Sequence, residues 1–389
     1  MRKIIYLGAV VLVLLLIAAH LLVPPYIERN YNPVVTSPGD KQASALATDL
    51  HAKLRVVDLH ADPLLWNRDL AKRSGIGHVD VPRLVEGNVA IQVFGLVTQS
   101  PKGQNVDRNT ADTDRITALV IAQAWPPRTW GSYLERALYQ IDKFNSVVTR
   151  SDGHLLPLRN QTDLETLLRR HADGEAVVGG LLGLEGSHAL EGEFTSVDRL
   201  FDAGLRMLGL THFIDNAVAG SAHGVSQAGL SDFGREAVEN AQRLGMIIDV
   251  AHASPQAIDD VLQITTAPIV VSHGGVRATC DTPRNLSDAQ ISGIAGTDGV
   301  IGVGLFEIAT CGNDLKATVA AMRHIADLVG VEHVGLGSDF NGAVATPIDS
   351  ADLSKLTQAL LDNGFSDEDI TKIMGGNAIR VFQQVLPPA

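Results

Sequence analysis

The sequence predicts an α/β chain: a closed (β/α)8 barrel of the TIM type, preceded by an N-terminal transmembrane helix. Three observations carry that expectation. From residue 50 onward, short runs rich in Val, Ile, Leu and Gly alternate with longer segments of helical period, the mark of repeated βα units and a parallel sheet. Several of the longer segments open on N-cap residues, such as Asp288, or Ser254 followed by Pro255 at the first helical position. Ahead of them, Ile4 to Val23 is apolar and broken only by His20. An open doubly wound sheet is the alternative for the first two observations.

The apolar run follows Arg2 and Lys3 and closes at Pro24-Pro25. Its roughly 20 residues suffice to cross a bilayer as a helix, and the basic pair places the N-terminus on the cytoplasmic side. A cleaved signal peptide is the competing reading, but the apolar core is long for one and no clear small-x-small site follows it. Under either reading the rest is exported: membrane-anchored with the catalytic domain periplasmic or extracellular, or secreted after cleavage. Residues 1–25 are accordingly the anchor or signal, and 26–48, with Pro33, Ser37, Pro38 and Gly39, a linker. Residues 49–389 are the barrel.

The expected strands are Val56 to His60, Ala90 to Val97, Val177 to Glu185, Met207 to His212, Met246 to His252, Pro268 to His273, Val300 to Phe306 and His333 to Asp339. Between them the helical period runs over Asp112 to Arg150, broken at Pro126-Pro127, then Gln161 to His171, Ser196 to Ala203, Asp232 to Leu244, Ser254 to Gln263, Asp288 to Ala295 and Leu315 to Leu328. Ser350 to Leu361 and Asp367 to Val385 complete the outer layer. An apolar content of 45% is ample for one large core. A net charge of -13, with no run of Lys or Arg, excludes nucleic acid as a partner. The two cysteines, Cys280 and Cys311, are expected to be bridged in an oxidising compartment, with two buried thiols as the alternative.

Chemistry in such a barrel gathers at the C-terminal strand ends. There the sequence places His60 and Asp62, then Glu185, His212, His252, His273 and Asp339. His60 and Asp62 are two apart in an extended strand, so both side chains point the same way and form a clamp. One histidine at a strand end is more often a hydrogen-bonded loop residue than a ligand. So many convergent ionisable groups, however, would be costly to bury without a metal. Imidazole mixed with carboxylate suits zinc, with manganese or cobalt as other occupants. Five ligands exceed one tetrahedral zinc with an open position and suit two metals that share a carboxylate and a hydroxide.

The bland reading covers His51, His78, His154, His171 and His324 as solvated residues of loops and helices. His188 and His223 lie in loops after the third and fourth strands, where a place in the substrate shell stays open. Asp58 is either a support for the clamp or a satisfied core carboxylate. The glycine-rich ends at Gly302-Val-Gly304 and Gly335-Leu-Gly337 read as close strand packing rather than a phosphate cradle.

These motifs resemble the membrane dipeptidase (renal dipeptidase) family of zinc peptidases over roughly residues 50 to 385. The resemblance rests on Asp58-Leu-His60-Ala-Asp62, Gly183-Leu-Glu185-Gly186, Leu210-Thr-His212 with Asn216, Asp249-Val-Ala-His252, Val271-Ser-His273 and Pro283-Arg284-Asn285. Gly335-Leu-Gly337-Ser-Asp339-Phe-Asn341-Gly342 and Gly375-Gly-Asn377-Ala-Ile-Arg380-Val-Phe382 extend it. The resemblance implies one zinc on His60, Asp62 and Glu185 and a second on Glu185, His252 and His273, two per chain. It implies Asp339 as the acid/base, His212 at the scissile carbonyl, Arg284 on the substrate's C-terminal carboxylate, and a Cys280–Cys311 disulfide. Ala251, Gly274 and Asn341 depart from the family pattern, which puts substrate preference in doubt.

The expected reaction is hydrolysis of a dipeptide by a metal-bridged hydroxide, with a D-residue at the C-terminal position an open question. The expected partners are the dipeptide, a membrane through the N-terminal helix, and, left open, a second copy in a homodimer. A metal-dependent phosphodiesterase or lactonase on the same barrel, and an exported binding barrel without catalysis, are the rival readings.

Overall fold

The computed structural model describes Tyr6 and residues 20–389. Most of the anchor expected over Ile4 to Val23 therefore lies outside the described residues. Among those described, no helix is long and apolar enough to cross a membrane.

Eight parallel strands close into the barrel: β1 (Val56–Ala61), β2 (Val89–Val97), β4 (Val178–Glu185), β5 (Leu205–Gly209), β6 (Ile247–Asp249), β7 (Val270–Gly274), β8 (Val300–Val303) and β9 (Val334–Leu336). A ninth, β3 (Leu155–Pro157), pairs only with the first residues of β4. Closure runs through β1 against both β2 and β9, and through seven consecutive β2–β4 pairs from Ile91↔Gly179 to Val97↔Glu185. Every residue of β1, β2 and β4 is buried, as expected of strands covered on one face by helices and on the other by the barrel interior. The open doubly wound alternative is thereby excluded.

The helices fall where the period placed them, and their ends follow local chemistry. Pro126-Pro127 splits the long stretch into Ile116–Ala122, a 3-10 turn at Pro127–Trp130, and Tyr133–Arg150, whose N-cap Ser132 accepts from the Glu135 N–H. Ser254 and Ser287 cap the helices Pro255–Ile264 and Asp288–Gly296 in the same manner. Short helices at Ala45–His51, Val81–Glu86 and Glu307–Thr310 have too few turns to leave a periodic signal.

Two expectations are revised. The strands expected to end at His212, His252 and Asp339 stop three residues earlier, at Gly209, Asp249 and Leu336. His252 and Asp339 take φ of 61° and 60°, a left-handed conformation that no β ladder accommodates. The stretch expected as a linker is partly fastened to the barrel: residues 20–31 are helical, Glu28 and Asn32 are buried, and Val34 bridges to Thr346.

Candidate metal centre

Glu185, the last residue of β4, stands at the middle of the rim. Its Oε1 lies 3.4 Å from His60 Nε2, 3.4 Å from His252 Nε2 and 3.5 Å from His273 Nε2, while Oε2 lies 3.6 Å from His212 Nε2. Asp62 Oδ1 is 3.4 Å from His60 Nε2, and the His60 and His273 rings stack at 3.9 Å. Potential ligand atoms also gather in the trio His60, Asp62 and Asp339, and in the trio Glu185, His212 and His252. All seven rim residues predicted from the sequence thus meet in one buried cluster.

Supports from several elements fix this arrangement. Asp58 receives the Ser338 N–H and hydroxyl and the His60 N–H, so β1 and the turn after β9 share one carboxylate. The His60 carbonyl in turn accepts from the Asp339 N–H at 3.1 Å. Asp58 fits both readings at once: it is a fully buried carboxylate satisfied by Ser338, His60 and Gln92, and through the His60 N–H it supports the strand end. Asp249 receives the N–H groups of Ala251 and Ser272, and thereby orients the turn to His252 and the end of β7. Ser272 Oγ lies 2.9 Å from His273 Nδ1, and the Gln99 carbonyl 3.0 Å from His212 Nδ1. These contacts leave both Nε2 atoms free to face the centre, the usual role of supports behind metal-binding imidazoles.

The donor set fits divalent metal. His60 Nε2, Asp62 Oδ1 and Glu185 Oε2 are buried and have no hydrogen-bond partner among the described residues. Burial holds His252 and His273 well below the usual imidazole range, helped by Arg284 at His252 and by His60 and Arg284 at His273. Both are therefore in the neutral form that binds metal. Burial would also depress His60, but Asp62 and Glu185 overcome it and push His60 well up, so this spot favours positive charge. Burial opposes ionisation of Glu185, yet His212 and His60 hold it well below the carboxylate range.

Asp339 behaves differently. Burial, with Asp62 and Glu185 adding to it against His60 and Arg284, pushes its carboxyl well above the usual range. Such a group can donate a proton near neutral pH. Arg284 is buried across the same cleft; its Nη2 donates to the His273 carbonyl at 3.1 Å and lies 3.4 Å from His252 Nε2. The guanidinium also sits 5.1 Å over the Phe306 ring.

Sequence reasoning missed other walls of the cleft: Ser100, Gln104 and Arg115 from the long connection after β2, and Phe213 and Phe306. Ser100 and Gln104 lie in a stretch with no periodic pattern, and Arg115 stands at the head of the helix Ile116–Ala122, where nothing marks it as a cleft residue. His223 stacks on Phe213 at 4.5 Å, and His188 is buried with neither ring nitrogen partnered among the described residues. His51 and His78, expected to be solvated, are buried, whereas His154 and His324 have exposed partners. A larger hollow of about 870 Å3 opens at the other end of the barrel, lined by Lys53, Arg55 and His171, and contains none of the rim residues. The disulfide joins Cys280 to Cys311 with the Cα atoms 5.2 Å apart.

A closed parallel barrel with a shared carboxylate, clustered imidazoles and a protonatable acid at its C-terminal rim defines a metal-dependent hydrolase. Comparison with known proteins narrows the class. The family model for membrane dipeptidase, peptidase family M19, matches residues 44–387. The chain is 29% identical over 358 residues to dipeptidase aclJ of Aspergillus oryzae, covering 86% of this chain and 78% of that protein. It is 30% identical over 321 residues to dipeptidase tcpJ of Claviceps purpurea, covering 79% and 69%. Among solved structures, the metallo peptidase dipeptidase AC superposes with a TM-score of 0.70 at 25% identity, over 86% of this chain and 99% of that one. A metallo peptidase from Rhodobacter sphaeroides, liganded with a phosphinate mimic of the dipeptide L-Ala-D-Ala, gives 0.69 at 22% identity, over 86% and 99%. The chain belongs to the membrane dipeptidase family, and it is a metal-dependent dipeptidase, a hydrolase of peptide bonds.

Proposed function

We propose that the chain hydrolyses dipeptides with two zinc ions, one on His60, Asp62 and Glu185 and the other on Glu185, His252 and His273, and that it accepts a D-residue at the C-terminal position. The observation that carries this reading is Glu185 Oε1, which lies within 3.5 Å of three separate imidazole nitrogens. A carboxylate so placed suits a bridge. The dipeptide mimic held by the Rhodobacter sphaeroides relative supports the stereochemistry.

When bound, such a metal pair supplies a hydroxide nucleophile at neutral pH and polarises the scissile carbonyl. The protein's own groups do the rest. His212 Nε2 faces the developing oxyanion, its other nitrogen held by the Gln99 carbonyl. Asp339, kept protonatable by burial, delivers the proton to the departing amine. Arg284 takes the free C-terminal carboxylate with its planar fork, which selects short substrates. Phe306 and Phe213 exclude water from the cleft.

The apolar run over Ile4 to Val23 supports an anchored enzyme whose barrel is exported, and the Cys280–Cys311 bridge supports an oxidising compartment. A panel of dipeptides of both chiralities, run with and without chelator and with metal content measured on the same sample, tests the function. Release of amino acids from L-Ala-D-Ala that is lost on chelation and restored by zinc is the expected result. Turnover of a chromogenic phosphodiester in place of every dipeptide would overturn it. Membrane fractionation with determination of the N-terminal residue tests the anchor.

A further inference from the structure

We propose that residues 28–35, which precede the family-matched region, are a working part of the active site: Glu28 and Asn32 hold the loop 339–346 so that Asp339 stays in register with the cluster. The inference rests on the reading of Asp339 as the acid/base.

The loop is strained and tight. Asp339, Asn341 and Ala343, at alternate positions, have φ of 60°, 65° and 62°. Asp and Asn tolerate this state better than most residues, but Ala343 does not, and three such residues at alternate positions leave the loop dependent on its surroundings. Between them Gly342 approaches so closely that a Cβ there would overlap the Asp339 carboxylate. A shift of residues 341–343 therefore moves the Asp339 side chain.

The surroundings that impose the conformation come from two sides. On the barrel side, the wholly buried Asn341 accepts the N–H groups of His78 and Val79 at Oδ1, each at 3.0 Å, and its carbonyl accepts from Trp66 Nε1 at 2.8 Å. On the other side stands the N-terminal segment. Asn341 Nδ2 donates to Glu28 Oε1 at 3.2 Å, the Ala343 N–H donates to Asn32 Oδ1 at 2.9 Å, the Val35 N–H donates to the Thr346 carbonyl at 2.8 Å, and the Thr346 N–H donates to the Pro33 carbonyl at 3.2 Å. Glu28 and Asn32 are 3% and 2% exposed, so neither contact is a loose surface one.

The charge of Glu28 has a specific task. Its Oε1 also takes Arg68 Nε at 2.5 Å, while Arg68 Nη2 lies 3.4 Å from Asn341 Oδ1. With the carboxylate present, Arg68 Nε is paired with Glu28 while Nη2 donates to the Val79 carbonyl at 2.7 Å, and the Asn341 amide is oriented with Nδ2 toward residue 28 and Oδ1 toward the backbone. Without it, the guanidinium competes for Oδ1 against the His78 and Val79 N–H groups, and the loop loses its register. Glu28 is thus a positioning residue, acting on Asp339 through Asn341.

The test compares Glu28→Gln, Asn32→Ala, the exchange Glu28→Gln/Asn341→Asp and Asp339→Asn in the metal-loaded full chain. Glu28→Gln is expected to lower kcat by about 10- to 100-fold, the scale of a misplaced catalytic group, with KM changed less than about twofold and metal content equal to the parent. Asn32→Ala, which removes one contact, lowers kcat about threefold or more. The exchange returns one carboxylate to Arg68 and restores the hydrogen bond with its direction reversed, so kcat recovers to within about threefold of the parent. A purely structural role would not produce recovery in kcat at constant KM. If Glu28→Gln fails to fold, Asn32→Ala and the exchange decide. Parental kcat in Glu28→Gln while Asp339→Asn is inactive overturns this inference alone, as does an exchange no faster than Glu28→Gln. Parental turnover in Asp339→Asn overturns the reading of the acid, and this inference with it.

Discussion

Gly95→Ala attacks the proposed metal clamp of His60 and Asp62 without replacing either residue. Gly95 sits in β2 beside β1, and a Cβ there would overlap Asp62 Oδ1 while lying 3.0 Å from His60 Cε1 and 3.2 Å from His60 Nε2. Asp62 cannot simply yield, because it is 2% exposed and its N–H is held by the Phe340 carbonyl at 2.8 Å. Restoring ordinary van der Waals spacing requires its carboxylate to move by about 1 Å. Metal–ligand distances tolerate only about 0.2 Å. The clamp should therefore lose Asp62 as a ligand, with a fall in metal affinity of at least about 10- to 100-fold, the range for disturbed ligand supports. Overpacking adds about 1–3 kcal/mol of destabilisation. The assay is metal content per chain after dialysis at limiting zinc, read beside dipeptidase kcat. Gly131→Ala, where a Cβ meets nothing within 4 Å, is the control and should match the parent in both. Parental metal content and parental kcat in Gly95→Ala would refute the placement of the clamp.

Asp339→Asn and Glu185→Gln should each lower kcat by about a hundredfold or more, measured on the dipeptide that the panel finds best. Acid should destabilise the fold through His78, which burial holds down to about 3 against an ordinary 6.5. The folded pKa is the depressed one, so the unfolded chain takes up the proton first. The neutral ring's contribution is then complete above pH 6.5 and is lost as pH falls toward 3, by about 2 kcal/mol at pH 5. Denaturant melts of His78→Gln between pH 6.5 and 5 should show a slope flatter by that amount; an unchanged slope would acquit His78. Removing the disulfide with Cys280→Ala/Cys311→Ala opens a loop of sequence separation 31, and the chain-entropy model gives a loss of about 3–4 kcal/mol. A midpoint shift near zero in urea would contradict it.

The barrel was legible because its information is periodic. Runs such as Val177 to Glu185 are short, apolar and bounded as buried strands are, and His60 and Asp62 do face one centre, although Asp62 lies just past the end of β1. What stayed hidden depends on backbone states that residue type does not encode. His252 and Asp339 looked like strand ends, yet each leaves its ladder through a left-handed turn that swings the side chain over the rim. The N-terminal segment misled for the opposite reason. Pro33, Pro38 and Gly39 are turn chemistry and read as a linker, while the anchoring comes from Glu28 and Asn32, two polar residues whose partners at 341 and 343 lie more than 300 positions away. Single polar residues with long-range partners carry no local signal at all.

The two halves of the cluster are chemically unequal, and on the proposed two-zinc reading that inequality would order metal binding. On one side His60 is flanked by Asp62 and shares Glu185, so two carboxylates face a cation there. On the other, His252 and His273 are neutral, share the same Glu185, and have the Arg284 guanidinium 3.4 Å from His252 Nε2. Coulomb attraction favours the first side and repulsion opposes the second. A proton tends the same way, since His60 is pushed up while His252 and His273 are held down. If two zinc ions bind as proposed, the one on His252 and His273 should leave first under graded chelation, and it should be retained better when a dipeptide carboxylate neutralises Arg284. Removal of both ions in a single step, with no protection by a slowly cleaved dipeptide, would show that Glu185 couples the sites too tightly for the asymmetry to act.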